Sequence, residues 1–172
     1  MAELARLLFV RVPYVLTGVL MLAAIAINFA NVIARYVFSS AIFWTEEALV
    51  FLMLWSMFLA AVTIAFNGDH INMDLLFERF TPRWKIVVTT SASVAFIACT
   101  LFVAVQSWQV VSLHYTNGTR SVAAGVPMVV PHAALLVAFA LMALAAGYRA
   151  LARWLGQPDP AAADDVRAEP GQ

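Results

Sequence analysis

Four long apolar runs, each almost free of charge, limit this chain more than anything else in it. They cover residues 12–34, 43–66, 86–113 and 126–151. An α-helix rises about 1.5 Å per residue, so about 20 apolar residues cross a hydrocarbon core about 30 Å thick. Water is missing at that depth, so every backbone amide and carbonyl must find a partner within the protein. Helices and closed barrels are the only structures that span under that condition. Runs of this length predict helices. The expected fold is an all-α integral membrane protein with four transmembrane helices, a membrane domain over residues 1–155 and a disordered tail over 156–172. The tail, QPDPAAADDVRAEPGQ after Gly156, lacks bulky side chains that could build a core.

Composition agrees. Of 172 residues, 63% are apolar and 12% charged, against roughly 45–50% and about 25% in an average soluble domain. A formal net charge of zero gives no electrostatic footprint for nucleic acid. The single cysteine, Cys99, lies inside an apolar run and has no partner for a disulfide, a redox pair or a metal site. The first run follows Arg6 and Arg11 and contains Ala24-Ile25-Ala26, which imitates a signal peptide. A signal's apolar core is only about 7–15 residues, so a retained span is expected.

Charge sets the expected orientation. Arg6, Arg11, Arg79, Arg83, Lys85, Arg149 and Arg153 flank one membrane face, whereas only Arg35 and Arg120 flank the other. The positive-inside rule puts both termini and the middle connector in the cytoplasm. Trp44, Trp84, Trp108, Tyr115, Tyr148 and Trp154 fall near span ends, as an aromatic belt requires. Between the second and third runs, INMDLLFERFTPRWK mixes apolar and charged residues. Asp74 is placed to cap a short interfacial helix that Pro82 stops. Pro131 either sits in the first turn of the last span or kinks it.

Polar residues gather at the span ends. Asn28, Asn31 and Arg35 recur at i, i+3 and i+7, on one helical face. Buried amides in lipid seek partners on neighbouring helices, so these residues are read as bundle glue or as a partner contact. Glu46 and Glu47 follow Trp44 at the mouth of the second span, where a helix N-terminus favours negative charge. Glu47 shares a face with Trp44, Phe51, Trp55, Phe58 and Val62; Glu46 points about 100° away. Arg35 is expected to pair with one of the two glutamates. His70 and Asp74, four apart, lack the third ligand that a metal site needs. His114 and His132 are isolated in the sequence and carry no reading. No catalytic, cofactor or metal site is assigned.

These residues resemble a known family pattern. Asn31, Arg35 and Tyr36, then Trp44-Thr45-Glu46-Glu47, then Trp55, Phe58, Leu59 and Ala60, then Gly68, His70, Ile71 and Asp74, look like the small, DctQ-type membrane subunit of tripartite ATP-independent periplasmic (TRAP) transporters. Ser121, Pro127 and Pro131 match its serine and two prolines before the last span. Alanine stands after Phe58 where glycine is common, and no basic residue precedes Gly68. The resemblance implies a non-catalytic scaffold in a bacterial or archaeal cytoplasmic membrane, with no cofactor of its own. Its implied partners are membrane lipids, a large multispan subunit that carries solute and sodium ions, and a periplasmic binding protein that delivers a carboxylate-type solute. Asn28, Asn31, Arg35, Trp44, Glu46, Glu47, Trp55, His70 and Asp74 are then structural or interface residues. The alternative is a self-sufficient carrier or membrane enzyme using Glu46, Glu47, His70 and Asp74.

Overall fold

The computed structural model describes residues 2–67 and 82–155. The expected interfacial helix, with His70 and Asp74, and the tail after Leu155 lie outside them. The described residues are all helical apart from short connectors, and four helices are long and apolar enough to cross a membrane. The chain starts with α1 (Ala2–Arg6), passes through a π-helical turn (Leu7–Arg11) and continues as α2 (Val12–Val37). Then come α3 (Thr45–Asn67), α4 (Pro82–Asn117) and α5 (Val129–Trp154). With 36 residues, α4 extends roughly 54 Å, well beyond the hydrocarbon thickness.

Several boundaries differ from the sequence reading. The first helix begins at Ala2 rather than near residue 12. Pro82 opens α4, in keeping with proline's fit to a first helical position, where the amide has no intrahelical partner; the helix that it is expected to stop lies outside the described residues. Pro131 is the third residue of α5. Its missing amide falls among the four that no helix satisfies, so the last span needs no kink there.

The π turn follows from Pro13. A proline inside a continuous helix withdraws the amide that would bond four residues back and crowds the carbonyl at that position. Here the carbonyl is that of Phe9. The chain widens instead, and Val12 N–H donates to Leu7 O, five residues back. The Phe9 carbonyl accepts from the Thr63 hydroxyl of α3 at 3.4 Å. Hydroxyls on neighbouring helices are a usual way to satisfy such freed groups in a membrane. About two helical turns further along, Thr17 Oγ1 donates to Ser56 O at 3.4 Å.

The helices stand in an open row. α2 packs on α3, α3 on α5, and α5 on α4. Burial follows that order: the most apolar windows of α3 and α5 are 28% and 33% buried, those of the first and third spans only 11% and 17%. The central seam joins α3 to α5. Val62 and Ala65 meet Ala138 and Met142, and Phe66 meets Ala5 and Ala145. Small residues recur along α5 at Ala134, Ala138, Ala145 and Ala152, all buried, which lets backbones approach closely where no hydrophobic drive favours one helix over lipid. Phe9 stacks on Phe66 with centroids 5.5 Å apart, and Tyr148 stacks on Phe66 with centroids 6.5 Å apart. Tyr148 is partly buried and packs against the cluster of Phe66 and Ala145. Trp84, Tyr115 and Trp154 are exposed.

Ala145 is fully buried in the cluster with Phe66 and Tyr148 packed around it. Ala145→Leu should lower stability by about 1–3 kcal/mol through overpacking, whereas Leu144→Ala, at an exposed position, should change it little. Thermal unfolding of the purified chain in mild detergent measures both.

Candidate functional site

The polar residues converge at the end of the row where the α2–α3 and α4–α5 connectors lie. Asn31 is buried on α2. Its Oδ1 accepts from Ile42 N–H at 3.0 Å, which ties the α2–α3 connector to the helix that precedes it. Ser39 takes a left-handed backbone, φ 51°, and Ser40 N–H returns to Ala34 O at 3.1 Å. The short connector is therefore folded back on α2 before α3 begins.

The expected Arg35 pair forms with Glu46, Nη2 to Oε1 at 3.7 Å. The Glu46 side chain is 81% exposed and that of Arg35 52%. A pair so open contributes at most about 1 kcal/mol. Asn28, placed on the same face by its spacing, is exposed and does not join the cluster. As one end of the row, α2 has only α3 as a main neighbour, so most of its girth faces outward.

Glu47 does something different. One carboxylate oxygen, Oε2, accepts from Ala123 N–H at 3.0 Å and Ala124 N–H at 2.7 Å. A single oxygen thereby fastens the α4–α5 connector to the start of α3, across 76 residues of sequence. Bonds to an ionised acceptor are about twice as strong as neutral ones. Eight residues further on, Trp55 Nε1 donates to Val130 O at 3.2 Å in the first turn of α5. Phe58 packs on Phe139 with centroids 5.9 Å apart, and Val62 is in the core against Ala138. The stripe of Glu47, Trp55, Phe58 and Val62 is thus the face that α3 turns to α5 and its connector. Trp44, placed on that stripe by spacing, is exposed, and its carbonyl accepts from Ala48 N–H at 3.1 Å.

The connector itself is a compact loop. Gly118, at φ 59°, ends α4 in the left-handed conformation that glycine adopts without strain. Ser121 N–H donates to Val126 O at 2.8 Å, Val126 N–H donates to Ser121 Oγ at 3.0 Å, and Met128 N–H donates to Thr119 O at 3.0 Å. Arg120 Nη1 donates to Gly125 O at 3.2 Å. This loop was not legible in the sequence: its decisive donors are backbone amides, which every residue but proline carries.

Chemically, the cluster positions helices. The adjacent carboxylates diverge, Glu46 toward Arg35 and Glu47 toward the connector, so they do not form a working pair. Among the described residues, the arrangement defines a four-span membrane protein whose polar residues bind its own connectors. The chain belongs to the DctQ component family of tripartite ATP-independent periplasmic transporters, whose family model matches residues 24–156. It is 29% identical over 138 residues to the isethionate TRAP transporter permease protein DctMQ of Oleidesulfovibrio alaskensis, covering 77% of this chain and 21% of that protein. It is also 29% identical over 82 residues to the C4-dicarboxylate TRAP transporter small permease protein DctQ of Vibrio cholerae, covering 48% of this chain and 35% of that one. The chain thus spans well under half of the length of either relative.

Glu47→Ala should leave two connector amides without their acceptor and cost about 1.5–3 kcal/mol. Glu46→Ala removes only an exposed pair and should cost about 1 kcal/mol or less. Unfolding of the two variants side by side separates these outcomes; equal losses would mean that Glu47 does not hold the connector.

Proposed function

We propose that this chain is the small permease subunit of a sodium-coupled TRAP-type importer and serves there as a fixed scaffold. In this reading it lies in a bacterial or archaeal cytoplasmic membrane with both termini in the cytoplasm, so that the two connectors face the periplasm. A large multispan subunit carries sodium ions and solute, and a periplasmic binding protein delivers a carboxylate-type solute. The chain itself performs no catalysis.

One observation carries the scaffold role: the helices form an open row whose end members, α2 and α4, bury little of their surface within the chain. A row of this kind offers broad apolar faces to lipid or to another membrane protein. Its polar groups at the connector end are spent on internal fastening, by Glu47 and Asn31 above all. Family membership supports the transport setting. The names of the two relatives mention isethionate, a sulfonate, and a C4-dicarboxylate; both are small organic anions, and the second supports a carboxylate. The stretch shared with the first of them fills 21% of that protein, which leaves ample room for a larger transport unit in the remainder.

The test is reconstitution. A tagged copy purified in mild detergent from cells expressing the whole transport system should bring with it a larger multispan membrane protein. Vesicles holding this chain alone should accumulate no solute. Vesicles holding both membrane subunits, supplied with the binding protein, should accumulate a small organic acid only on an inward sodium gradient. Uptake by this chain alone would overturn the scaffold role, and uptake unaffected by sodium would overturn the coupling.

A further inference from the structure

His114 and His132, far apart in sequence, meet across the α4–α5 junction with ring centroids 4.4 Å apart and planes 40° apart. His114 lies in the last turns of α4 and His132 is the fourth residue of α5. Each ring is also bonded to the chain beside it. His132 Nδ1 is 2.7 Å from Met128 O; a carbonyl only accepts, so that nitrogen carries the hydrogen. His114 Nδ1 is 2.6 Å from Thr119 Oγ1. Thr119 and Met128 are joined in turn by the Met128 N–H bond to Thr119 O at 3.0 Å. The four residues close a ring of contacts: His114 to Thr119, Thr119 to Met128, Met128 to His132, and His132 back to His114.

We infer that this circuit is an acid-sensitive latch, in which protonation of both imidazoles separates the rings and loosens the junction between α4 and the α4–α5 connector. Two neutral rings stack without penalty, and one cationic ring over a neutral one is attracted to it. Two cationic rings at this separation repel each other, and the half-buried site weakens the screening that water gives. The N-terminal end of α5 adds partial positive charge next to His132. The charged and titratable groups around the pair offer no relief. On α3, Glu47 is occupied by the amides of Ala123 and Ala124. In the connector, Arg120 is itself positive and is engaged with Gly125 O. On α4, the neighbouring Tyr115 is exposed. Among the described residues, neither imidazole has a carboxylate partner.

The direction of yielding follows from the neighbours. His132 also borders a groove of ≈ 270 Å³ between α4 and α5, lined by Phe102, Val103, Gln106, Ser107 and Leu135 among others, so its ring has open space beside it. The connector's other fastening, to Glu47, involves different residues and persists. The pH at that membrane face thereby sets how firmly the end of α4 is held. The latch does not rest on the transport reading.

The experiment uses the full chain in lipid nanodiscs, with Cys99→Ser removing the native thiol and nitroxides attached at Tyr115→Cys and Val130→Cys, both exposed positions. Spin–spin broadening is recorded from about pH 8 to about pH 5. The expected result is broadening at the upper end that is lost at the lower end and returns on neutralisation. His114→Phe, which keeps a ring in the stack without a second charge, should retain the broadening throughout. His132→Gln serves as the second variant and should likewise abolish the pH response. Broadening unchanged across the range in the labelled parent would overturn the latch by itself, whatever the variants do. A response of equal size in both variants would assign the effect to another group and overturn it too.

Discussion

The architecture depends on one carboxylate oxygen that accepts from two successive amides. Glu47 joins the first turn of α3 to a connector some 76 residues later. Without that bond, among the described residues the α2–α3 hairpin and the α4–α5 hairpin would be held by the Trp55 indole and by side-chain packing along the α3–α5 seam. In a membrane such packing is selective but weakly driven, because lipid tails solvate leucine and valine as well as a neighbouring helix does. A charge-assisted bond at the membrane edge supplies a register that apolar contacts do not. Trp55, two turns below, repeats the same connection with its indole N–H on the Val130 carbonyl.

The opposite end is organised by a proline. Pro13 forfeits an amide, the helix widens by one residue over Leu7–Arg11, and the freed Phe9 carbonyl meets a hydroxyl of α3. Phe9 itself stacks on Phe66. Both ends of the bundle therefore use the same principle: a backbone group left over by local geometry becomes the attachment point for another helix. The interior between them needs only small residues at the contact, and α5 supplies them as alanines.

Much of this was legible in the sequence, and the reasons are specific. Four long apolar runs admit hardly any solution but four spans. The 3.6-residue period placed Glu47, Trp55, Phe58 and Val62 on one stripe and sent Glu46 another way, and that stripe faces α5. The proximity of Arg35 to the glutamates across a short connector predicted a pair with one of them, and the structure makes Glu46 that partner. What stayed hidden involved contacts between residues far apart in sequence or groups without a side-chain signature. The acceptor role of Glu47 needs the amides of Ala123 and Ala124, which nothing in their side chains announces. The meeting of His114 and His132 depends on how α4 and α5 turn into their shared loop. Asn28 is exposed within this chain: periodicity gives a face but says nothing of how many neighbours a helix has. Of His70 and Asp74, and of the segment around them, the described residues show nothing.

The single-file order of the helices has a mechanical corollary. A square bundle resists deformation about equally in all directions, whereas a palisade one helix thick is stiff within its own plane and compliant across it. Loads applied edge-on pass from axis to axis through the alanine-lined seam, but a push on the broad side meets only a thin wall. Such an object would brace a neighbour against sliding along the membrane while still bowing to follow the curvature of whatever was pressed to its flat side.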